Sequence, residues 1–534
     1  MEATLALFGG HVVTAGATTP PATAIALAGD RILAVGSDAD VRRFVGPRTE
    51  TIDLRGRTVT PGFDDAHCHP IALGLSLREV DARTPPNRSV ADIIARIAER
   101  AATQPPGTWI VARGYDQAQL AERRHPTRED LDRATSQHPV LLIRACGHIG
   151  VANSMALARA GIGPGTPDPP GGTIDRATDG TPTGVLREAA LQRVRAILPE
   201  PTVADLAAAL EEAGSLFLRY GVTSVQEAGI RRAEEFQAYQ ILTRDRRLPV
   251  RSTLMILIDP LLETVRALGI RTGFGDSWLR IGPAKLFLDG SIGGRTARMS
   301  QPYLDRDTLG LWMDDPETMK RKIVAAHCAG FQCCAHAIGD AAIELLLDSF
   351  EEALRLQPRH DHRHRIEHCS ILRPDLIDRI ARLGAVPIPG TTFLHDFREV
   401  YLSGLGSERL RYAYALRTFL DRGILAAASS DAPVCSPNPM LGIQTMITRK
   451  DASGQATWPE ECISLEEAIR VYTLHGAYAS FSEHEKGTLE PGKLADLVVL
   501  ETDLRTVPPD ALAQVRVDYT IVDGRVAYAR PGAP

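Results

Sequence analysis

Two histidines one residue apart, His67 and His69, close the stretch Thr60-Pro61-Gly62-Phe63-Asp64-Asp65-Ala66-His67-Cys68-His69-Pro70. An apolar, β-branched run (Thr58, Val59, Thr60) leads into it and predicts a strand over residues 58–66. Side chains alternate along a strand, so both imidazoles point one way and Cys68 the other. Two imidazoles projecting together make half of a metal site. Chance produces the same pair, so the other ligands must come from elsewhere. His336 ends Gln332-Cys333-Cys334-Ala335, His368 ends Arg365-Ile366-Glu367, and Asp431 follows Ala426-Ala427-Ala428-Ser429-Ser430. Singly, His336 reads equally as a hydrogen-bonded core residue and Asp431 as a helix N-cap. Jointly, four histidines and one aspartate at four strand ends read as a metal site.

Lys285 lies inside the apolar run Pro283-Ala284-Lys285-Leu286-Phe287-Leu288. Burying a lysine is costly unless it is paired or neutralised. Burial lowers the pKa of an amine. A neutral amine can react with carbon dioxide to give a carbamate, which can bridge two divalent ions. A salt bridge to Asp289 is the alternative, and from the strand alone it is the simpler one.

The elements that must position these residues follow one order. Apolar runs at Val222–Val225, Arg251–Leu257, Pro283–Leu288, Gln332–Ala335, His364–Glu367, Ala385–Ile388 and Ile424–Ala428 read as buried parallel strands. Helical patterns over Val203–Arg219, Glu317–Ala329, Ala341–Leu356, Pro374–Leu383 and Arg409–Arg422 separate many of them. With the strand at 58–66 this is the order of an α/β (β/α)₈ TIM-type barrel over residues 61–75 and 203–484. The active site of such a barrel forms at the C-terminal ends of its strands, where the candidate ligands fall. Residues 1–60 and 485–534 carry short β runs and turn signals, including Asp523-Gly524 between two runs. The two ends are expected to close into one β-sandwich, because each alone would be marginal. Residues 76–202 hold proline-rich turns and strand-like runs at Trp109–Ala112 and Val140–Arg144, and read as an insertion after the first barrel strand.

Bulk properties exclude several classes. With 534 residues the chain is long enough for two or three domains. A net charge of −6 with both signs interspersed suggests neither a nucleic-acid nor a membrane surface. No apolar run approaches the roughly 18 residues of a membrane span. The start MEATLALFGGHVV lacks a basic region and an apolar core, so no secretory signal is expected. Eight cysteines without repeated spacing make no disulfide framework. A cytoplasmic location with reduced cysteines is the expectation, and a homodimer is the prior for assembly. Cys333 and Cys334 should pack on opposite faces of their strand.

The segments PGFDDAHCH, KLFLDGSIGGRT, HAIGD, RIEH, SSDAP and GTLEPGKLADLVVL together resemble the metal-dependent amidohydrolase superfamily. Within it they are similar to the amidohydrolase family 3 branch that includes N-substituted formamide deformylase and YtcJ-like proteins. The resemblance spans essentially the whole chain. It implies the barrel beside a β-sandwich built from both ends, and one or two divalent ions, with zinc expected. It further implies that His67, His69 and Asp431 bind the more buried ion, His336 and His368 the second, and carboxylated Lys285 both. Asp431 would also be the general base that takes a proton from water and returns it to the leaving nitrogen. Asp64-Asp65 stands where the branch often has Ile-Asp; neither is a ligand, so the departure is expected to change little. The implied reaction is hydrolysis of an amide-like C–N bond in a small N-formyl or N-acyl compound. An esterase, a lactonase, a cyclic amidine deaminase or a non-catalytic scaffold are the alternatives, and fold alone does not choose among them.

Other candidates carry less. His148, in Cys146-Gly147-His148-Ile149-Gly150, reads as a substrate-binding or oxyanion-stabilising group or as a structural histidine, and Tyr115 as a substrate contact. Asp289 and Arg295 flank Gly290-Ser291-Ile292-Gly293-Gly294, whose spacing is not that of a phosphate loop. They read as positioning Lys285 or substrate. His327 reads as structural, and His360, His362 and His364 (RHDHRHR) as a solvated loop.

Overall fold

The computed structural model describes residues 2–16, 21–145 and 147–533. The chain forms two compact units, Met1–Leu73 with Leu210–Pro534, and Gly74–Ala209.

The first unit is organised around a parallel sheet of seven strands in sequential order. They are β1 (Phe63–Cys68), β2 (Val222–Ile230), β3 (Arg251–Leu257), β4 (Leu279–Phe287), β5 (Cys333–Ala337), β6 (Arg365–His368) and β7 (Val386–Pro389). Every residue of β1, β2, β6 and β7 is buried, as expected for strands covered on both faces. Helices follow β2 to β7, at Ala233–Arg244, Ile258–Ala267, Pro316–Cys328, Asp340–Leu356, Pro374–Leu383 and Phe393–Arg409. Their ends are written in the sequence. Pro316 opens its helix behind an N-cap, Asp315, that accepts from Thr318 N–H. Gly384, at φ +69°, stops the helix begun by Pro374, a left-handed position that suits glycine.

The eighth position differs from expectation. Residues 424–428 form no regular strand. Ala427 N–H still donates to Pro387 O on one side, while Ala66 N–H donates to Ala428 O and Asp431 N–H to His67 O on the other. The segment thus bridges β7 and β1 and nearly closes the barrel. Its own ladder is incomplete because Ala428 N–H turns to Val471 O and Asp431 takes a positive φ of 56°.

The predicted strand at 58–66 is two strands. Thr58–Pro61 pairs with His11–Val12 and Leu497–Leu500, and β1 begins only after Gly62. A Cβ at Gly62 would lie 2.0 Å from Thr223 Oγ1, so any larger residue at this crossing point must displace the Thr223 side chain. The chain ends supply two further sheets. One joins Leu5–Phe8, Ala24–Ala28, Arg31–Gly36 and Glu50–Asp53, all from the first 60 residues; the other takes two strands from the start of the chain and three from its end. Leu5, Leu7, Ile25 and Leu27 of the first sheet pack with Val59, Leu497, Val499 and Ile521 of the second in one buried cluster. Asp523 and Gly524, both at positive φ, turn the terminal hairpin as their types suggest.

The unit Gly74–Ala209 holds a six-stranded sheet. The two expected strands appear as Ile110–Tyr115 and Val140–Arg144; Val80–Asp81, Ile149–Ala152, Gly172–Arg176 and Pro182–Glu188 complete it. Helix Val90–Thr103 buries Val90, Ile93 and Ile97 against the sheet.

Candidate active site

Strand register brings the candidate ligands together. His67 lies in β1, Lys285 in β4, His336 in β5 and His368 in β6, with Phe287 opposite His336 and Ala337 opposite His368. Asp431 follows the closing segment, pinned by its N–H to His67 O. Its Oδ1 lies 3.2 Å from His69 Nε2 and 3.6 Å from His67 Nε2. Donor atoms of these three residues all fall within 4.8 Å of one another. The His368 ring centres 4.7 Å from that of His67 and 4.4 Å from that of His336. His368 and Asp431 both hold a positive φ that a non-glycine residue adopts at an energetic penalty, a feature concentrated at functional sites.

Lys285 is 1% exposed, and its Nζ has no hydrogen-bond partner among the described residues. The Phe287 ring centre is 5.1 Å from it. Burial holds its pKa below the usual lysine range, against the pull of the Glu367 charge. The simpler expectation, a salt bridge to Asp289, is not what forms. Asp289 instead accepts backbone N–H groups from Arg298 (2.8 Å), Ile338 (3.1 Å) and Gly339 (2.8 Å), fixing the loops after β4 and β5. Burial pushes its carboxyl up to about 7, and those three donors oppose it. Arg295 forks onto Asp305 and also donates to Ser403 Oγ at 2.8 Å and Ile292 O at 2.7 Å, so its guanidinium ties the loop to the helix after β7.

The imidazoles differ in charge. Burial, reinforced by Lys285 for His67 and by His336 for His368, holds those two well below the usual range. Burial and Lys285 take His336 down to about 4. A neutral imidazole keeps a lone pair for a cation. His69 rises to about 9: burial opposes this, but the carboxylates of Asp431 and Glu227 outweigh it. One His336 nitrogen, Nε2, is 3.0 Å from Gly290 O and 3.6 Å from Asp289 Oδ1, so Nδ1 is the ring nitrogen not engaged by that loop.

In the unit Gly74–Ala209, Tyr115 is buried with its hydroxyl 2.9 Å from His125 Nδ1. His148 is largely exposed, its Nδ1 3.0 Å from Glu188 Oε2. Cys146, beside it in the motif, lies outside the described residues.

Sequence reasoning missed the groups behind the ligands. Glu367 Oε2 is 2.5 Å from His67 Nδ1, and Glu227 Oε1 is 3.6 Å from His69 Nδ1. The signal was available, since each is a carboxylate inside a strand buried along its whole length, just as Lys285 is an amine within an apolar run. Asp64 and Asp65 matter more than expected. Asp65 accepts from Ser430 Oγ at 2.5 Å and Ser430 N–H at 3.0 Å, next to Asp431, and Asp64 accepts from Lys486 at 2.7 Å.

The RHDHRHR segment departs from expectation in part: His360 is exposed, as a solvated loop would have it. His362 and His364 are buried, not solvated. His364 Nδ1 accepts Cys333 N–H at 3.0 Å, its Nε2 faces His327 Nδ1 at 2.8 Å, and His362 Nε2 meets Leu383 O at 2.8 Å. Each ring has backbone or imidazole partners that replace water, which makes burial tolerable. Cys333 and Cys334 do face opposite sides: Cys333 Sγ meets Ile323 O of a flanking helix, and Cys334 Sγ meets Met255 Sδ of β3.

The model of the amidohydrolase family matches residues 50–528. The chain belongs to the amidohydrolase family. It is therefore a hydrolase acting on carbon–nitrogen bonds. This amidohydrolase is 30% identical over 560 residues to N-substituted formamide deformylase from Arthrobacter pascens, covering 99% of both chains. It is 31% identical over 500 residues to the putative amidohydrolase YtcJ of Bacillus subtilis (strain 168), covering 91% of this chain and 92% of that one. The crystal structure of an uncharacterized metal-dependent hydrolase from Pyrococcus furiosus superposes with a TM-score of 0.77 at 30% identity, covering 95% of this chain and 99% of that one. Among the described residues no helix of the amidohydrolase is long and apolar enough to cross a membrane.

Proposed function

We propose that this amidohydrolase is a metal-dependent hydrolase of amide-like bonds whose substrate is an N-formyl or N-acyl compound. The observation that carries the reading is the convergence of His67, His69, His336, His368 and Asp431 near a buried lysine amine without a partner. Three imidazoles held neutral (His67, His336 and His368), a fourth, His69, whose proton a cation would displace, a carboxylate and an orphaned amine suit a divalent cation at a buried site. His67, His69 and Asp431 would hold one ion and His336 and His368 a second. Lys285, carboxylated, would join them, which also gives its amine a reason to be there. Zinc is the expected metal. The name of the Pyrococcus furiosus neighbour supports metal dependence, and that of the Arthrobacter pascens relative supports the substrate class.

When bound, a divalent cation would supply activation of a water molecule and polarisation of the scissile carbonyl. Asp431 accepts the proton of the attacking water and returns it to the nitrogen, because an amine leaves poorly unless protonated. His69 Nε2 lies 3.2 Å from Asp431 Oδ1 in the metal-free chain, so the two groups that would share an ion already face each other. Phe393, with its ring centre 6.0 Å from that of His368, gives the site an apolar wall. Tyr115 and His148 are proposed as substrate contacts, while Asp289 and Arg295 hold the loops that shape the pocket. The end sheets are read as one composite β-sandwich and residues 76–202 as an insertion.

The test is a panel of N-formyl and N-acyl amines beside esters, lactones and cyclic amidines, run on zinc-loaded protein. Amide hydrolysis that a chelator abolishes and zinc restores is the expected result. Turnover confined to esters or amidines would overturn the substrate assignment, and turnover insensitive to chelation would overturn the metal.

A further inference from the structure

The inference rests on the metal reading above and concerns what stands behind His67. Glu367 Oε2 lies 2.5 Å from His67 Nδ1, and both side chains are almost completely buried. Glu367 does not stand alone. It accepts from Arg365 Nε at 2.8 Å and from Arg365 Nη2 at 3.0 Å. Arg365 is itself fully buried and also donates to Ala66 O at 2.7 Å and to Gln226 Oε1. Gln226 Nε2 donates to Asp64 Oδ1 at 3.1 Å and to Gly476 O at 3.0 Å, and Lys486 Nζ donates to Asp64 Oδ2 at 2.7 Å. An unbroken polar chain therefore runs from the first histidine of the site to Lys486, just before the GTLEPGK segment near the end of the sequence.

The chemistry of each member sets the next. A guanidinium stays protonated, so the carboxylate it forks is held as an acceptor. An acceptor at His67 Nδ1 places the ring proton there and leaves the lone pair on Nε2. That atom faces Asp431 Oδ1 at 3.6 Å. Two electron-rich atoms this close repel unless positive charge stands nearby, and a divalent cation between them would supply it. His69 has no equal support: its Nδ1 is 3.6 Å from Glu227 and lacks a hydrogen bond among the described residues.

We propose that Glu367, locked by Arg365, is a positioning residue that fixes the tautomer and orientation of His67 and so sets the affinity of the site for a divalent cation. Carboxylates behind a ligating histidine typically change metal affinity by about 10–100-fold when removed.

The experiment titrates metal-free full-length protein with cobalt(II), followed by visible absorption, for wild type, Glu367→Gln and Arg365→Lys. The glutamine keeps the shape and removes the charge; the lysine keeps the charge and removes the fork. Each variant should bind cobalt about 10–100-fold more weakly with an altered spectrum. The thermal midpoint of each metal-free chain, recorded alongside, separates lost structure from lost positioning. Wild-type affinity and spectrum in Glu367→Gln would overturn the proposal, whatever happens to the midpoint. If Glu367→Gln does not fold, Arg365→Lys decides alone by the same criterion. A wild-type chain that takes up no cobalt would instead overturn the metal reading on which the proposal stands.

Discussion

Replacing Lys285 by methionine should stabilise the metal-free protein and ruin the metal-loaded one. The amine is 1% exposed and lacks a partner among the described residues. A buried polar group left unsatisfied costs about 1–3 kcal/mol, and more when charged. Methionine has similar length and no polar atom, and Met255 and Cys334, both apolar and buried, already lie in the barrel interior. The metal-free variant should therefore gain about 1–3 kcal/mol over wild type. Zinc reverses the order. A ligand at about one hundred times its dissociation constant stabilises the folded chain by about 2.7 kcal/mol, and the variant forfeits much of this with the bridge. Thermal or denaturant unfolding of both proteins, with chelator and with zinc, reads the crossing directly. Hydrolysis should disappear in Lys285→Met. In Lys285→Ala, a short carboxylic acid should restore part of it. A variant less stable than wild type in chelator would refute the orphaned-amine argument. Undiminished stabilisation by zinc would remove Lys285 from the site.

Further outcomes follow from other positions. Asp431→Asn should lower kcat by about 10²–10⁴, the usual worth of a positioned general base; near-wild-type turnover would assign the base elsewhere. Gly62→Ala should destabilise by about 1–3 kcal/mol, as overpacking does, because its Cβ would meet Thr223 Oγ1 at 2.0 Å; unchanged unfolding would count against that crossing. Burial pulls His475 from 6.5 down to about 4, against its contact with Ala426 O. The unfolded chain takes up that proton near pH 6.5 and the folded chain only near 4, so stability is lost as pH falls through this window. His475→Gln still offers a donor to the carbonyl but cannot titrate, so its stability should decline less steeply there. An unchanged slope would contradict the assignment.

Much of the site was legible because its residues break local pattern. A histidine, lysine or aspartate at the end of an apolar β run is conspicuous, and the strand order alone put His67, Lys285, His336, His368 and Asp431 at one end of a barrel. The carboxylates behind them, Glu367 and Glu227, break no such pattern, since Arg365 and His368 flank one and Gln226 precedes the other. They were passed over because their partners are far away in sequence, and only register shows that Glu367 meets His67. Residues 424–428 looked like a strand by composition, yet competing bonds from Val471 and the turn at Asp431 keep the segment irregular. The helix Phe393–Arg409 was missed, its pattern interrupted by Gly404 and Gly406 and a non-helical turn at Gly406. Charge suggested that RHDHRHR was solvated. Burial there depends on partners at Cys333, His327 and Leu383, which no local window contains.

The most direct test of the central claim is metal content per chain, by mass spectrometry on protein purified without chelator and again after zinc is supplied. The account predicts two divalent ions per chain in wild type, with fewer in Lys285→Ala. No bound divalent ion even after zinc addition would contradict it.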